Sequence, residues 1–466
     1  MQIFGIVLAA GQGKRMKSKL YKVLHPVCGK PMIDYVVTAL KQSGVDRLVT
    51  IVGHGAEAVR EYLGDRTEYA LQEQQLGTGH AVLQAEPLLG NQDGITLVVN
   101  GDAPLVNAES LKAMVELHRT RNAAATIMTA DVNDPGAYGR IIRREDGSID
   151  RIVEFKDCTP EQARIREVNT GLYCFDNRFL FEALKQVTNE NAQQEYYLTD
   201  VAAIARKAGR RVEAYLLADP DEGIGVNDRL ELAEAEKRMR RKLIEKHMKN
   251  GVTVIDPDQT YVEADVSIGP DTILYPGTIL KGNTVIGEGC RIGPYTEISN
   301  CTIGNHVQIR QSVLDQSGVQ DGATIGPFAY IRPGSDIGPN VKIGDFVEIK
   351  NSTIGANSKV PHLSYVGDAD VGERVNIGCG VITANYDGFR KHRTVIDDEA
   401  FIGSNVNLIA PVSVGKGAFI VAGSTITENV GDDGVAIARS RQTTKPGYAS
   451  KLKNRIKTKG NSTSGG

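Results

Sequence analysis

VEADVSIGPDTILYPGTILKGNTVIG, residues 262–287, places an aliphatic side chain at every sixth position: Val262, Ile268, Leu274, Leu280 and Ile286. The period continues through Ile292 and Ile298. After one-residue slips it resumes at Ile303, Ile309, Ile325, Ile331, Ile337, Ile343, Ile349, Ile354, Val360, Val366, Val371 and Ile377. It is interrupted at 385–394 and runs on through Ile396, Ile402, Leu408, Val414, Ile420 and Ile426. A spacing of six suits neither the 3.6-residue helix nor the two-residue strand, but it suits a solenoid of short strands and turns. Three hexapeptides then close one triangular coil with the aliphatic side chains stacked inside. The glycine that often follows the aliphatic residue is assigned to turns that a Cβ would strain. Glycine is distributed accordingly, with 30 of the 50 in residues 251–466. Taken alone, the repeat reads equally well as a rigid rod for oligomerisation.

Residues 1–228 read differently. Apolar runs at 3–8, 48–52, 95–99 and 125–129 are strand candidates, separated by helical stretches such as 32–43 and 110–120. Alternation of this kind predicts an α/β, Rossmann-like domain on a mainly parallel sheet, with its ligands at the carboxyl ends of the strands. Between the halves, Leu232, Ala235, Met239, Leu243 and Met248 recur at near-helical spacing amid dense charge, which predicts a linker helix over 229–250. The second domain then covers 251–466. Its last segment, 451–466, is lysine-rich and ends Asn-Ser-Thr-Ser-Gly-Gly, the composition of a disordered tail.

Length and composition bound the rest. A chain of 466 residues exceeds what one hydrophobic core organises. Its 54 basic and 57 acidic residues nearly cancel, so no bulk attraction to nucleic acid or anionic membrane is expected. With no apolar run near the ~18–20 residues of a membrane span and no basic signal-peptide head, the protein is expected to be soluble and cytoplasmic. Cys28, Cys158, Cys174, Cys290, Cys301 and Cys379 show no paired spacing, which predicts reduced thiols rather than a zinc site or disulfide framework.

Behind the first strand, Leu8-Ala9-Ala10-Gly11-Gln12-Gly13-Lys14-Arg15-Met16 forms a small-residue turn, with Lys22 soon after. Backbone N–H groups of such a turn can approach a polyphosphate, and Arg15 and Lys22 can neutralise it. A tight strand-to-helix turn with basic surface residues is the plainer reading, since neither the P-loop nor the dinucleotide glycine pattern is met.

Together with Lys22-Val23-Leu24-His25-Pro26-Val27 and Gly29-Lys30-Pro31-Met32, this turn resembles the sugar-1-phosphate nucleotidyltransferases. Gln72 with Gln75-Leu76-Gly77-Thr78-Gly79-His80 resembles the UDP-N-acetylglucosamine pyrophosphorylases in particular. The likeness extends through Asn100-Gly101-Asp102, Tyr138-Gly139-Arg140-Ile141, Ile152-Val153-Glu154, Val168-Asn169-Thr170-Gly171 and Gly225-Val226-Asn227-Asp228. The repeats resemble the left-handed parallel β-helix of hexapeptide acyltransferases, whose members generally trimerise. Over nearly the whole chain, the sequence resembles bacterial bifunctional enzymes that acetylate glucosamine-1-phosphate and then uridylylate the product, supplying cell-wall precursor synthesis.

The resemblance implies a nucleotide site with UTP and Mg²⁺ as co-substrate and cofactor. Asp102 follows a strand where a hard carboxylate can reach Mg²⁺, and Asn227 supplies a second oxygen ligand. A turn-forming Asp after Gly101 and a helix-capping Asn are the alternatives. Gln72 can offer uracil a donor and an acceptor, with Gly77-Thr78 backbone near the ring, and Gly139, Glu154 and Asn169 fall to N-acetylglucosamine. Three positions depart from the family pattern: Lys14 for Thr, Tyr21 for the Pro before Lys22, and Asn100 for Tyr.

In the repeats, the likeness to the acetyltransferase site rests on Lys359-Val360-Pro361-His362-Leu363-Ser364-Tyr365-Val366-Gly367 and Asn385-Tyr386-Asp387-Gly388. Acetyl transfer to an amine needs a base titrating near neutrality, which points to His362; the resemblance gives Glu348 as its orienting partner. Arg332 and Lys350 stand where the repeat usually has a small residue and suit a sugar phosphate. The resemblance adds Tyr365, Asn376 and Asn385 for the sugar and Lys391 as a further phosphate contact. For acetyl-CoA it gives Cys379, Gly380, Asn385, Tyr386, Ser404, Ala422 and Arg439, with no covalent role for Cys379. His306 and His392 are expected to be ordinary packed or surface histidines. Two other readings stand beside the bifunctional homotrimer. One is a non-catalytic assembly protein; the other is a single-activity pyrophosphorylase for another sugar or nucleotide.

Overall fold

A computed structural model describes residues 1–461. By their contacts these fall into two units, one of Met1–Lys249 with Tyr261–Val266, the other of Asn250–Thr260 with Ser267 onward. No described helix is long and apolar enough to cross a membrane.

The first unit is built on a mostly parallel sheet. Its main strands are β1 (Gln2–Ala9), β2 (Arg47–Val52), β3 (Glu68–Leu71), β4 (Gly94–Asn100), β5 (Ala125–Asp131), β6 (Glu167–Asp176) and β7 (Val212–Leu216). Their order is β7-β5-β6-β4-β1-β2-β3, so the chain starts mid-sheet, winds to one side and returns to the other. Only β6 runs antiparallel within this row, to both β4 and β5. Alternate residues feed separate cores: Phe4, Ile6, Val49 and Val98 pack on one face, and Val7, Leu97, Leu48 and Val99 on the other. Burial on both faces explains why these strands read as continuous apolar runs. The helices Met32–Gln42 and Ala108–Thr120 follow the sequence expectation closely.

The helix Arg229–Lys249 read as a linker packs against the first unit. Ala235 and Met239 join Val27, Cys28, Met32, Leu105 and Val226 in one cluster. Cys28 N–H donates to Glu236 of the same helix at 2.6 Å.

The second unit is a left-handed parallel β-helix. Leu274, Ile292, Ile309, Ile325 and Ile343 stack in register on one wall, each buried. Their steps of 18, 17, 16 and 18 residues are the slips in the sequence period. Glycine's role differs from the expectation. The left-handed corners are held largely by other residues, among them Asn300, Asn340, Asn351, Phe328 and Phe346. Gly355 and Gly372 instead answer close approach: a Cβ on Gly355 would lie 2.5 Å from the carbonyl group of Gly372 in the next coil. Coils spaced by ~4.8 Å leave no room for a methyl aimed along the stack.

The tail also departs from expectation, since Tyr448–Asn461 is a helix. Residues 448–457 contain no glycine or proline, and six of the ten are the helix formers Ala, Leu, Arg and Lys, so propensity favours a helix. The remainder of that expected tail, 462–466, lies outside the described residues.

Candidate active sites

The loops leaving the carboxyl ends of β1, β3 and β4 enclose a cleft of about 290 Å³. Leu8, Ala9, Ala10, Gly11, Lys22, Gln72, Gly77, Thr78 and Asp102 all line it, as the sequence reading grouped them. Arg15 is exposed on the short helix Lys14–Met16, and Lys14 beside it is exposed too. Tyr21 is buried, its hydroxyl donating to the Ala9 carbonyl, so this departure from the family braces the turn from beneath. Asn100 packs its amide on Gly171.

Asp102 and Asn227, 125 positions apart, are joined by one ammonium. Lys22 Nζ forms an ion pair with Asp102 and donates to Asn227 Oδ1 at 2.8 Å. The capping alternative for Asn227 fails, because Asp228 Oδ1 accepts from the backbone of Leu230 and Glu231 at 2.9 and 3.0 Å and starts the helix. Asn227 is thereby left to point its amide oxygen at the cation. One carboxylate and one amide oxygen around a cation form the sparse donor set that suits Mg²⁺, which retains waters and takes phosphate oxygens for its other positions. Among the described residues no cluster of three or more His, Cys, Asp or Glu offers a closed metal cage.

Gln72 is buried, and its amide nitrogen already donates to Gly77 O at 3.1 Å and lies 3.0 Å from His80 Nδ1. Its oxygen is thus the atom that can meet a base N–H, where the sequence reading gave it both roles. Gly77 is required by packing: its φ is +112°, and a Cβ would stand 2.6 Å from the Tyr196 carbonyl. Gln75, not singled out from sequence, fixes the turn by donating to Ala10 O at 2.6 Å.

Gly139, Glu154 and Asn169 also converge. Asn169 N–H donates to Gly139 O at 2.8 Å, and the Glu154 carboxylate faces Gly139. Burial, then the nearby Asp157, Asp200 and Glu195, push the Glu154 carboxyl above its ordinary range. Beside them Arg140 is fully buried without a carboxylate partner among the hydrogen bonds it makes. It donates to the carbonyls of Tyr138, Gly136 and Ala163 and lies over the Phe155 ring.

In the β-helix, His362 and Asp345 occupy facing positions of successive coils, and His362 Nδ1 lies 2.6 Å from Asp345 Oδ1. Both are accessible at a corner of the coil. Glu348, expected to orient His362, instead bonds Arg332 Nη1 at 2.8 Å. Register explains the correction: Glu348 lies on the next wall, opposite Tyr330 and Tyr365, whereas Asp345 ends the strand directly stacked on His362. One coil length separates Asp345 from His362, a signal that a register-based reading of the repeat would have found.

Arg332 directly follows one strand of that next wall and Lys350 ends the strand stacked on it, with Lys391 adjoining. Lys391 is held below the usual lysine range chiefly by the neighbouring Lys350 ammonium, and further by Arg332. Such crowding is what an anion relieves. Buried Asp368, missed from sequence, organises the corner: it accepts from Asn351 at 2.6 Å, from Asn385, and from Lys350 at 3.3 Å. Burial raises its carboxyl, but those hydrogen bonds outweigh burial and hold it below the ordinary range. Tyr365 is 3.4 Å from Asn385 through its hydroxyl. Asn376, however, is on the wall of Lys359 and Phe401, away from this group.

The residues read for acetyl-CoA follow one corner. Gly378 bonds to Ile402 and Gly403 to Ile420, which stacks Cys379, Ser404 and Ala422 along the edge that carries His362. Gly423 follows, with Arg439 against it. Gly380, at φ +75°, lies over Asn405. Tyr386 is exposed and donates to Gly388 O at 2.6 Å, within the loop that Asp387 ties to His392 at 2.7 Å. Cys379 is half-buried, and all six cysteines are free.

Comparison with known proteins agrees with both halves. A family model described as nucleotidyl transferase matches residues 4–225, and bacterial transferase hexapeptide (six repeats) matches 283–314 and 317–351. The chain is 57% identical over 451 residues to the bifunctional protein GlmU of Halalkalibacterium halodurans, covering 97% of this chain and 99% of that protein. It is 56% identical to the bifunctional protein GlmU of Geobacillus thermodenitrificans, covering 98% and 99%. The pairing of a nucleotidyl transferase unit with hexapeptide repeats is therefore matched end to end, and the chain belongs to the GlmU family of bifunctional transferases.

Proposed function

We propose that the protein acetylates glucosamine-1-phosphate with acetyl-CoA at the β-helix and then joins the product to UTP in the N-terminal cleft, releasing pyrophosphate. The observation that carries this reading is that one chain holds both a cation shared by Asp102 and Asn227 and an imidazole backed by a carboxylate.

In the cleft, a phosphate oxygen of the sugar attacks the α-phosphorus of UTP and the bond to pyrophosphate breaks. Backbone N–H groups of Ala9 to Gly11 and the ammonium of Lys22 hold the triphosphate, and Arg15 closes on it from the exposed side. Gln72 Oε1 accepts the uracil N3–H. Gly139, Glu154 and Asn169 seat the N-acetylglucosamine ring and so hold its phosphate in line. Bound Mg²⁺, on Asp102 and Asn227, supplies charge neutralisation at the phosphates. Lys22 then turns from the carboxylate to the phosphates, its alternative partners.

On the β-helix, Arg332, Lys350 and Lys391 grip the sugar phosphate, with Tyr365 and Asn385 beside the ring. His362 Nε2 takes the amine proton as nitrogen bonds to the acetyl carbon; the C–S bond breaks and the proton leaves on the CoA thiol. Asn376 stands on the wall of His362, apart from Tyr365 and Asn385, and we place the working site between subunits of a homotrimer, where a second copy brings these groups together on one sugar. Exposed Tyr295, Phe328, Phe346 and Leu363 at the corner beside His362 are the apolar surface such a neighbour covers, with Phe328 and Phe346 stacked at 5.3 Å. Cell-wall precursor supply in the cytoplasm, without nucleic acid or membrane partners, completes the proposal.

The test is to measure CoA release and pyrophosphate release separately, omitting glucosamine-1-phosphate, acetyl-CoA, UTP or Mg²⁺ in turn. Loss of CoA release without acetyl-CoA or sugar phosphate, and of pyrophosphate release without UTP or metal, is expected. Neither product from the complete mixture would end the proposal, and preference for ATP or dTTP would redirect it.

A further inference from the structure

We infer that Asp345, rather than Glu348, is the carboxylate that positions His362 for acetyl transfer, while Glu348 acts on the sugar phosphate through Arg332. The inference rests on the acetyltransferase reading above. Asp345 Oδ1 and His362 Nδ1 are 2.6 Å apart, and because an ionised carboxylate only accepts, the hydrogen between them belongs to Nδ1 and is donated to Asp345. Nδ1–H thereby fixes the tautomer and leaves the Nε2 lone pair facing solvent, where an amine can deliver its proton. When Nε2 takes that proton, the imidazolium forms against the negative charge of Asp345; Asp345 itself remains ionised, and the proton departs with the CoA thiol.

The fold makes the pairing rigid. Asp345 and His362 end strands that run side by side, and the backbones just before them approach so closely that a Cβ on Gly344 would stand 2.6 Å from the Pro361 carbonyl carbon. Glu348 has another commitment: its carboxylate holds the Arg332 guanidinium at 2.8 Å, and Arg332 lies over the Tyr330 ring. The two carboxylates thus divide the work, one on the base and one on the phosphate grip.

Steady-state acetyl transfer by Asp345→Ala, Asp345→Asn, Glu348→Gln and His362→Ala tests the division. Asp345→Ala should lower kcat about 100-fold with both KM values within about twofold. Asp345→Asn presents an amide N–H that can donate to Nδ1 and trap the Nε2–H tautomer, so it should lose kcat by at least about 100-fold as well. Glu348→Gln should shift KM for glucosamine-1-phosphate by more than about threefold and leave kcat near that of the parent. In the parent, ¹⁵N shifts of the His362 ring should report the Nδ1–H tautomer, and Asp345→Ala should move the population toward Nε2–H. Melting temperature and far-UV circular dichroism of the same preparations check that each variant's β-helix is folded, and Asp345→Asn serves if Asp345→Ala does not fold. A parent-like kcat in Asp345→Ala, an unchanged tautomer, or a kcat loss without KM change in Glu348→Gln would overturn the inference. If the parent releases no CoA, or His362→Ala retains its rate, the acetyltransferase reading itself fails instead.

Discussion

Replacing Gly344 by alanine should disable one activity of this protein and spare the other. The new Cβ would fall inside van der Waals contact of the Pro361 carbonyl oxygen and stand 2.6 Å from its carbonyl carbon. Carbon atoms pack at ~3.5–4.0 Å, so the two coils must part by about 1 Å, and the obstacle is backbone that cannot rotate away. Asp345 and His362 are the next residues along these strands; parting them by that amount stretches their 2.6 Å hydrogen bond to about 3.6 Å, beyond a useful one. Overpacking of this kind costs about 3 kcal/mol, which for a unit of this size lowers the melting temperature by roughly 6–12 °C. CoA release should fall at least about 10-fold, while pyrophosphate release, which uses the other unit, should be unchanged. Gly431→Ala is the matched control: its Cβ would meet nothing within 4 Å, and the expected effect is neutral to about 1 kcal/mol stabilising. Parent-like melting and CoA release in Gly344→Ala would refute the claim that coil spacing sets the His362 geometry.

Other outcomes follow from the first unit. Lys22→Gln removes the ammonium shared by Asp102 and Asn227 and should cut uridylyl transfer about 100-fold or more, with CoA release intact. Arg140→Lys exchanges a buried fork bonded to three carbonyls for a single ammonium; it should cost about 3 kcal/mol in urea unfolding and raise KM for N-acetylglucosamine-1-phosphate. Burial lowers His118 to about 4, with Thr126 Oγ1 as its 2.9 Å partner. The unfolded chain takes up this proton near pH 6.5 and the folded one only near 4, so its contribution to stability is lost as pH falls through that window. Linkage gives about 2 kcal/mol between pH 7 and 5, and His118→Asn should flatten the slope by that amount in urea titrations; an unchanged slope would exclude the assignment.

Much of the site was readable because its signals are local in the chain. The turn Leu8–Gly11, Gln72 and Gly77-Thr78 each follow a strand, and strand ends of an α/β sheet meet at one edge, so naming the motifs was nearly enough to assemble the cleft. Arg140 and Gln75 lie inside the matched motifs but drew no role, because they bond backbone carbonyls and a sequence pattern does not mark which carbonyl will face a side chain.

From the sequence alone come the six-residue period, and with it the coil, because each aliphatic residue needs only its neighbours in the stack to be buried. The residue types for phosphate, metal and base chemistry are likewise present in order along the chain. Only the tertiary structure decides partnerships. Register of unequal coils sets Asp345 on His362 and Glu348 on Arg332, although both carboxylates are about equally near in sequence. Chain crossing brings Lys22 to Asn227, 205 residues away, and frees Asn227 by giving the helix cap to Asp228. Such pairings depend on donor and acceptor meeting within about 3 Å across segments distant in sequence, and packing alone supplies that.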